Sequence, residues 1–256
     1  MKTVHRVLDP NTPERIQYGL CALAVMTKAP RAGHVKTRLV PPCTPEEAAT
    51  LNICFLRDTA NAIAAALEEA ARGVGVYTPR GAEAAYQNIL PEDFLLIPQR
   101  GEGFGERLFL AAEDLFKCGF SSVCLIDSDS PTVRPKIFRQ AVEFLYGPSD
   151  RVVLGPSDDG GYYLIGLKKP HREMFERIDW STEQVFDQTM ERAKGLGVEV
   201  KLLSMCYDVD DPATLRRLCS ELLGEHSSDA VAAETRKFLG GIVAREGRDR
   251  IWSEQI

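Results

Sequence analysis

Two carboxylates one residue apart, Asp127 and Asp129, close the apolar run Val-Cys-Leu-Ile at 123–126. Side-chain oxygens of this kind suit Mg²⁺ or Mn²⁺, hard cations that prefer oxygen ligands and often share them with phosphates. Pro131 follows and ends any strand ladder, because proline has no amide hydrogen to donate. A buried strand that stops at acids places them at the carboxyl edge of a sheet. Open α/β sheets bind their ligands at that edge. A capping Asp beside a solvated Asp accounts for the same residues, so the rest of the chain has to decide.

A complementary charge lies earlier. The apolar run at 20–26 is followed by a loop at 27–38 that carries Lys28, Arg31, Lys36 and Arg38, with His34 and Gly33 among them. Cations together with a freely turning backbone are what a phosphate site needs. The loop is not a Walker A loop, since Val35 stands where glycine should precede the lysine. A solvated basic loop is the alternative.

Three further stretches qualify. Gly101, Gly103 and Gly105 precede a helix, which suits either a backbone lying close to a base or ribose, or a flexible turn. Asp159, Gly160 and Gly161 separate two apolar runs. They read as a hairpin turn, or as an acid and a bare backbone beside an acceptor substrate. Asp208, Asp210 and Asp211 precede Pro212. Asp211 is the natural helix cap, with proline in the first turn. Asp208 and Asp210 are then left over, and alternation along an extended segment points both to one side.

The elements that must hold these residues follow from the pattern. Thr44, Pro45, Glu46 and Glu47 start a helix expected to run to residue 72, with Leu51, Phe55, Thr59 and Ile63 along one stripe. Strands are expected at 73–77, 94–97, 151–155 and 198–203, and helices at 81–90, 106–117 and 135–146. A helix capped at 180–182 should run to 194. The order β-α-β-α-β over the first half implies right-handed crossovers and a largely parallel sheet. Residues 1–17 read as a loose arm. The remainder divides into a domain over 18–225 and a helical extension of it over 226–256, whose apolar positions would either cover the sheet or serve a homodimer.

Composition narrows the classes. The chain has 256 residues, 44% of them hydrophobic, so a substantial core is available. Net charge is −6, with acids and bases mixed, which argues against a nucleic-acid surface. Seven cysteines without a C-x-x-C pair argue against a zinc site. Their odd number, with no signal peptide, points to a reducing cytoplasm. No apolar run is long enough to span a bilayer.

With these residues assembled, the chain resembles the glycosyltransferase-A-fold family described as radical-SAM/selenodomain-associated, or glycosyltransferase-like, transferases. The resemblance spans about residues 20–218. It rests on K-A-P-x-x-G-x-V-K-T-R-L at 28–39, S-D-x-P-T at 128–132, D-G-G-Y-Y-L-I-G at 159–166, W-S-T at 180–182 and D-V-D at 208–210. Asp127 departs from the family's common Gly, and Ser130 from its common Cys. The basic loop is also similar to that of 2-phospholactate guanylyltransferase.

The resemblance implies an α/β, three-layer αβα fold with a mixed, mostly parallel sheet of the nucleotide-diphospho-sugar transferase (GT-A) type. It implies a metal-dependent transferase with a nucleotide-diphosphate-sugar donor and a small-molecule acceptor. The alternatives are a nucleotidyltransferase that releases pyrophosphate from a nucleoside triphosphate, and a non-catalytic nucleotide-binding protein. In this reading Lys28, Gly33, Lys36, Arg38, Gly103 and Gly105 hold the nucleotide and its phosphates. Mg²⁺ or Mn²⁺ sits on Asp129, with Asp127 or Asp210. Asp159 positions or deprotonates the acceptor hydroxyl, and Gly160, Gly161, Trp180 and Ser181 line the acceptor side.

Overall fold

The computed structural model describes residues 5–12, 16, 19–67, 70–224 and 231–252. Seven strands form one sheet: β1 (Cys21–Lys28), β2 (Ala71–Thr78), β3 (Leu95–Pro98), β4 (Ser122–Ile126), β5 (Arg151–Pro156), β6 (Tyr162–Leu167) and β7 (Glu199–Leu202). The helices are α1 (Pro45–Ala64), α2 (Phe104–Lys117), α3 (Pro135–Leu145), α4 (Val185–Leu196), α5 (Pro212–Leu223), α6 (Ala233–Glu246) and α7 (Asp249–Trp252). The strand order is β3-β2-β1-β4-β6-β5-β7, and β6 runs antiparallel to both of its neighbours while every other pair is parallel. This is the mixed, mostly parallel α/β sheet expected from the sequence.

Apart from the edge strand β7, the strands are largely buried on both faces, and alternation sorts their side chains. In β1, Ala22 and Ala24 enter the core shared with α2, while Cys21, Leu23 and Val25 enter the opposite core shared with α1 and α3. A fully buried Leu or Val in such a strand contributes roughly 1.5–3 kcal/mol. A third apolar cluster joins α1 to α5 and α6. The C-terminal helices α5 and α6 thus pack on α1. Among the described residues no helix is long and apolar enough to cross a membrane.

Three expected boundaries move. Helix α1 stops at Ala64 rather than 72, and β2 begins at Ala71. The cause is the register, in which buried Cys21 and Ala22 take Ala71 and Arg72 as ladder partners. Residues 81–90 hold only a short 3₁₀ turn at Glu83–Tyr86. The arm is not loose where it is described. Val7 bridges to Leu96, Leu8 N–H donates to Leu96 O at 2.7 Å, and Leu8 is buried, so this segment extends the β3 edge. The open edge of β3 offers unpaired backbone groups, and pairing them outweighs the arm's polarity.

Candidate functional site

The strand register builds a notch. Val25 pairs with Ile126, where β4 ends, while β1 continues to Lys28. The chain leaves β4 at Asp127, whose N–H donates to Tyr163 O of β6 at 2.9 Å. The acids therefore emerge at the carboxyl edge, where the order 3-2-1 switches to 4.

The basic loop folds back onto them. Leu39 and Val35 anchor it in the apolar interior, and Lys36 takes a left-handed backbone with φ 49°. The Lys36 side chain is only 3% exposed. Its Nζ donates to Asp129 Oδ1 at 2.9 Å and to Val209 O at 2.6 Å, and lies 3.9 Å from Asp210 Oδ1. Arg38 Nη1 meets Asp210 Oδ2 at 2.6 Å. Val209 N–H donates to Asp129 O at 2.9 Å, which ties the second acid segment to the first. Val209 is fully buried, and Asp208 and Asp210 on either side of it both line the same cavity, as alternation requires. Asp211 caps α5, accepting from Thr214 N–H at 2.8 Å.

That cavity has a volume of about 440 Å³. Asp127, Asp129, Asp159, Asp208 and Asp210 line it together with Arg38. Its far wall is aromatic. The Phe104 and Trp180 rings meet edge to face at 5.1 Å, and Tyr162 meets Trp180 at 6.4 Å. Gly161, Ser181 and Glu183 complete the rim.

Burial raises the Asp127 carboxyl to about 8, with the neighbouring Asp129 and Asp208 charges adding to the effect and a hydrogen bond from Ser130 opposing it. Burial likewise raises Asp208 to about 6, aided by Asp159. Among the described residues no three His, Cys, Asp or Glu side chains stand together as a metal cage. Asp127, Asp129 and Asp210 thus share a cavity without forming a preformed ligand trio. Asp127, sunk and accepting from Ser130 Oγ at 2.8 Å, is the weakest donor. Asp129 and Asp210 offer the oxygen donors a hard cation prefers. The Lys36 ammonium lies between them.

The structure separates the remaining expected residues. Lys28, Gly33 and Gly103 lie outside this cavity. Lys28 is exposed at the β1–β2 end, Gly33 turns the loop at φ 73°, and Gly103 sits in open space at the start of α2. Gly105 has a packing cause. A Cβ there would stand 2.5 Å from Trp180 Nε1 and 2.7 Å from Phe175 O, so its bareness admits the tryptophan and not a nucleotide. Gly160 has φ 86°, and its missing Cβ admits the Glu183 backbone.

Residues 180–182 do not cap α4. Ser181 is left-handed at φ 66°, Thr182 Oγ1 donates to Asp179 O at 2.7 Å, and the helix begins at Val185. The carbonyl of Gly160 instead receives Phe186 N–H at 2.8 Å, so the turn at 158–161 supplies a partner to the first turn of α4. This contact joins the D-G-G and W-S-T motifs into one wall. Phe104, Tyr162 and Glu183 were not singled out from sequence. Each lies inside or next to a motif, but nothing in its spacing shows that it faces a cavity.

A family model described as "Uncharacterized protein conserved in bacteria (DUF2064)" matches residues 59–182. No curated protein matches the chain. A solved structure from Desulfovibrio desulfuricans G20, named as a presumed nucleotide-diphospho-sugar transferase, is 27% identical and superposes with a TM-score of 0.77 over 90% of this chain and 99% of its own. A Methanothermobacter nucleotidyl transferase is 15% identical, with a TM-score of 0.51 over 80% of this chain and 98% of its own. The chain has the fold of nucleotide-diphospho-sugar transferase-like proteins.

Proposed function

We propose that the chain is a metal-dependent transferase that uses a nucleotide-diphosphate-sugar donor and delivers the glycosyl group to a small-molecule acceptor. One observation carries this reading: Lys36 and Arg38 meet Asp129 and Asp210 at the rim of a cavity at the switch point of the sheet. The printed name of the Desulfovibrio relative agrees with it.

In this reading Lys36 and Arg38 exchange their carboxylate partners for the donor's diphosphate, and Arg38 can grip it with two parallel donors. Asp129 and Asp210 are the residues that would hold Mg²⁺ or Mn²⁺, which would supply Lewis-acid stabilisation of charge on the leaving oxygen. The acceptor hydroxyl lies against Asp159, held in place by Gly161 N–H, which donates to its Oδ1 at 2.9 Å. The hydroxyl oxygen attacks the anomeric carbon, the bond to the diphosphate breaks with its electron pair leaving on phosphate, and Asp159 takes the hydroxyl proton. Trp180 and Ser181, beside Gly160 and Gly161, exclude water from the acceptor.

The test is incubation with labelled nucleotide sugars and Mn²⁺, then with nucleoside triphosphates. Nucleoside diphosphate as product supports glycosyl transfer. Pyrophosphate would assign nucleotidyl transfer instead, the reading favoured by the likeness of the 28–38 loop to that of the guanylyltransferase. Nucleotide binding without either product would leave a non-catalytic nucleotide-binding protein.

A further inference from the structure

The two halves of the cavity differ in how their charge is balanced. Asp129 and Asp210 are matched by Lys36 and Arg38. Asp159, Asp208 and Glu183 also line the cavity, and among the described residues none of them forms an ion pair. These unmatched carboxylates adjoin the aromatic wall of Phe104, Trp180 and Tyr162. Phe104 is 50% exposed, so its ring is open to a ligand. The Arg107 guanidinium stands 5.9 Å from the Phe104 ring but Arg107 does not line the cavity. Among the described residues no cation stands over the Trp180 or Tyr162 ring, and none pairs with the three acids.

Aromatic faces and carboxylates favour the same partner. The ring quadrupole attracts a cation, more strongly when water is excluded. Excess negative charge repels a carboxylate or phosphate and attracts an ammonium. We propose that this half of the cavity takes a small organic cation, a protonated amine beside an apolar ring. The ammonium meets Asp208 and Glu183, which leaves Asp159 to the hydroxyl, and the ring lies on Phe104 and Trp180. This molecule is the acceptor in the transferase reading above, on which the inference rests. Its nucleophilic hydroxyl is a separate group from the recognised amine.

Isothermal titration with 2-phenylethylamine, 2-phenylethanol and phenylacetate tests it, since the three share a ring and differ in charge. The amine should bind roughly tenfold more tightly than the alcohol, and phenylacetate most weakly. Glu183→Gln should weaken the amine and leave the alcohol unchanged. Phe104→Ala should weaken both the amine and the alcohol. Trp180 packs on Gly105, so its removal risks unfolding; half-exposed Phe104 keeps the readout available. Equal or tighter binding of the alcohol, tightest binding of phenylacetate, or no binding of the amine at millimolar concentration would each overturn the proposal. A nucleoside diphosphate titrated into the same samples separates the two readings. Nucleotide binding without amine preference removes only this inference, and amine preference without nucleotide binding removes only the transferase.

Discussion

Lys36 Nζ lies 2.9 Å from Asp129 Oδ1, so a residue of the loop after β1 neutralises a residue of the loop after β4. The Lys36 side chain is 3% exposed and that of Asp129 34%, so it is the ammonium that is held away from water, and its carboxylate partner is correspondingly costly to remove. Lys36→Ala is therefore expected to lower kcat/KM with a nucleotide sugar on the order of 10²-fold or more. Steady-state kinetics on the purified variant check this. Turnover at the wild-type level would refute a phosphate role for Lys36.

Neighbouring aspartates should behave differently. Asp129→Asn removes a proposed ion ligand, so the Mn²⁺ concentration for half-maximal activity should rise about tenfold or more. Asp211→Ala removes a helix cap and should cost about 1 kcal/mol of stability while leaving that concentration unchanged. A metal titration beside a urea unfolding curve reads both. Equal metal dependence in wild type and Asp129→Asn would remove the ion from Asp129.

Two glycines are expected to be intolerant of a methyl group. In Gly105→Ala the new Cβ meets Trp180 and the Phe175 carbonyl, which predicts a loss of about 1–3 kcal/mol. In Gly160→Ala the left-handed φ of 86° adds backbone strain to the clash with the Glu183 backbone. Both should also change tryptophan fluorescence, because both displace the segment carrying Trp180. Thermal unfolding at wild-type temperature in either variant would contradict the packing described.

Asp58, 6% exposed on α1, accepts from Glu234 N–H at 3.0 Å and Thr235 N–H at 2.9 Å, capping α6 from outside its own segment. Asp58→Ala should cost about 1–2 kcal/mol. Burial raises this carboxyl above its ordinary range. The folded chain thus holds the proton more tightly than the unfolded one. Its contribution is complete below the unfolded value of about 3.9 and is lost as pH rises through the folded value. Asp58→Asn should remove that slope, and unfolding free energies on both sides of the window would show whether it persists.

Much of this was legible residue by residue. The apolar runs of β1 and β4 betray buried strands because no polar position interrupts them. Pro45 and Pro212 mark helix starts because proline lacks the amide that a first turn leaves unused. Asp208 and Asp210 share a side because Val209 must be buried between them. The W-S-T segment was misread as a cap. Its true geometry depends on the Gly160 carbonyl reaching Phe186 N–H at 2.8 Å, a contact between segments that local pattern does not encode. Gly105 misled for the same reason, since a glycine that admits a tryptophan looks the same in sequence as one that admits a phosphate.

The sequence by itself determined the class of the fold and the sign of each charged segment, because burial and backbone chemistry act along the chain at short range. It could not determine which opposite charges meet. Lys36 and Asp129 are brought together by the order in which β1 and β4 lie side by side, and Phe104 joins Trp180 because the start of α2 packs against the segment that precedes α4. Those pairings are set by tertiary packing, where loop closure and core burial are satisfied together, and no spacing within the chain specifies them.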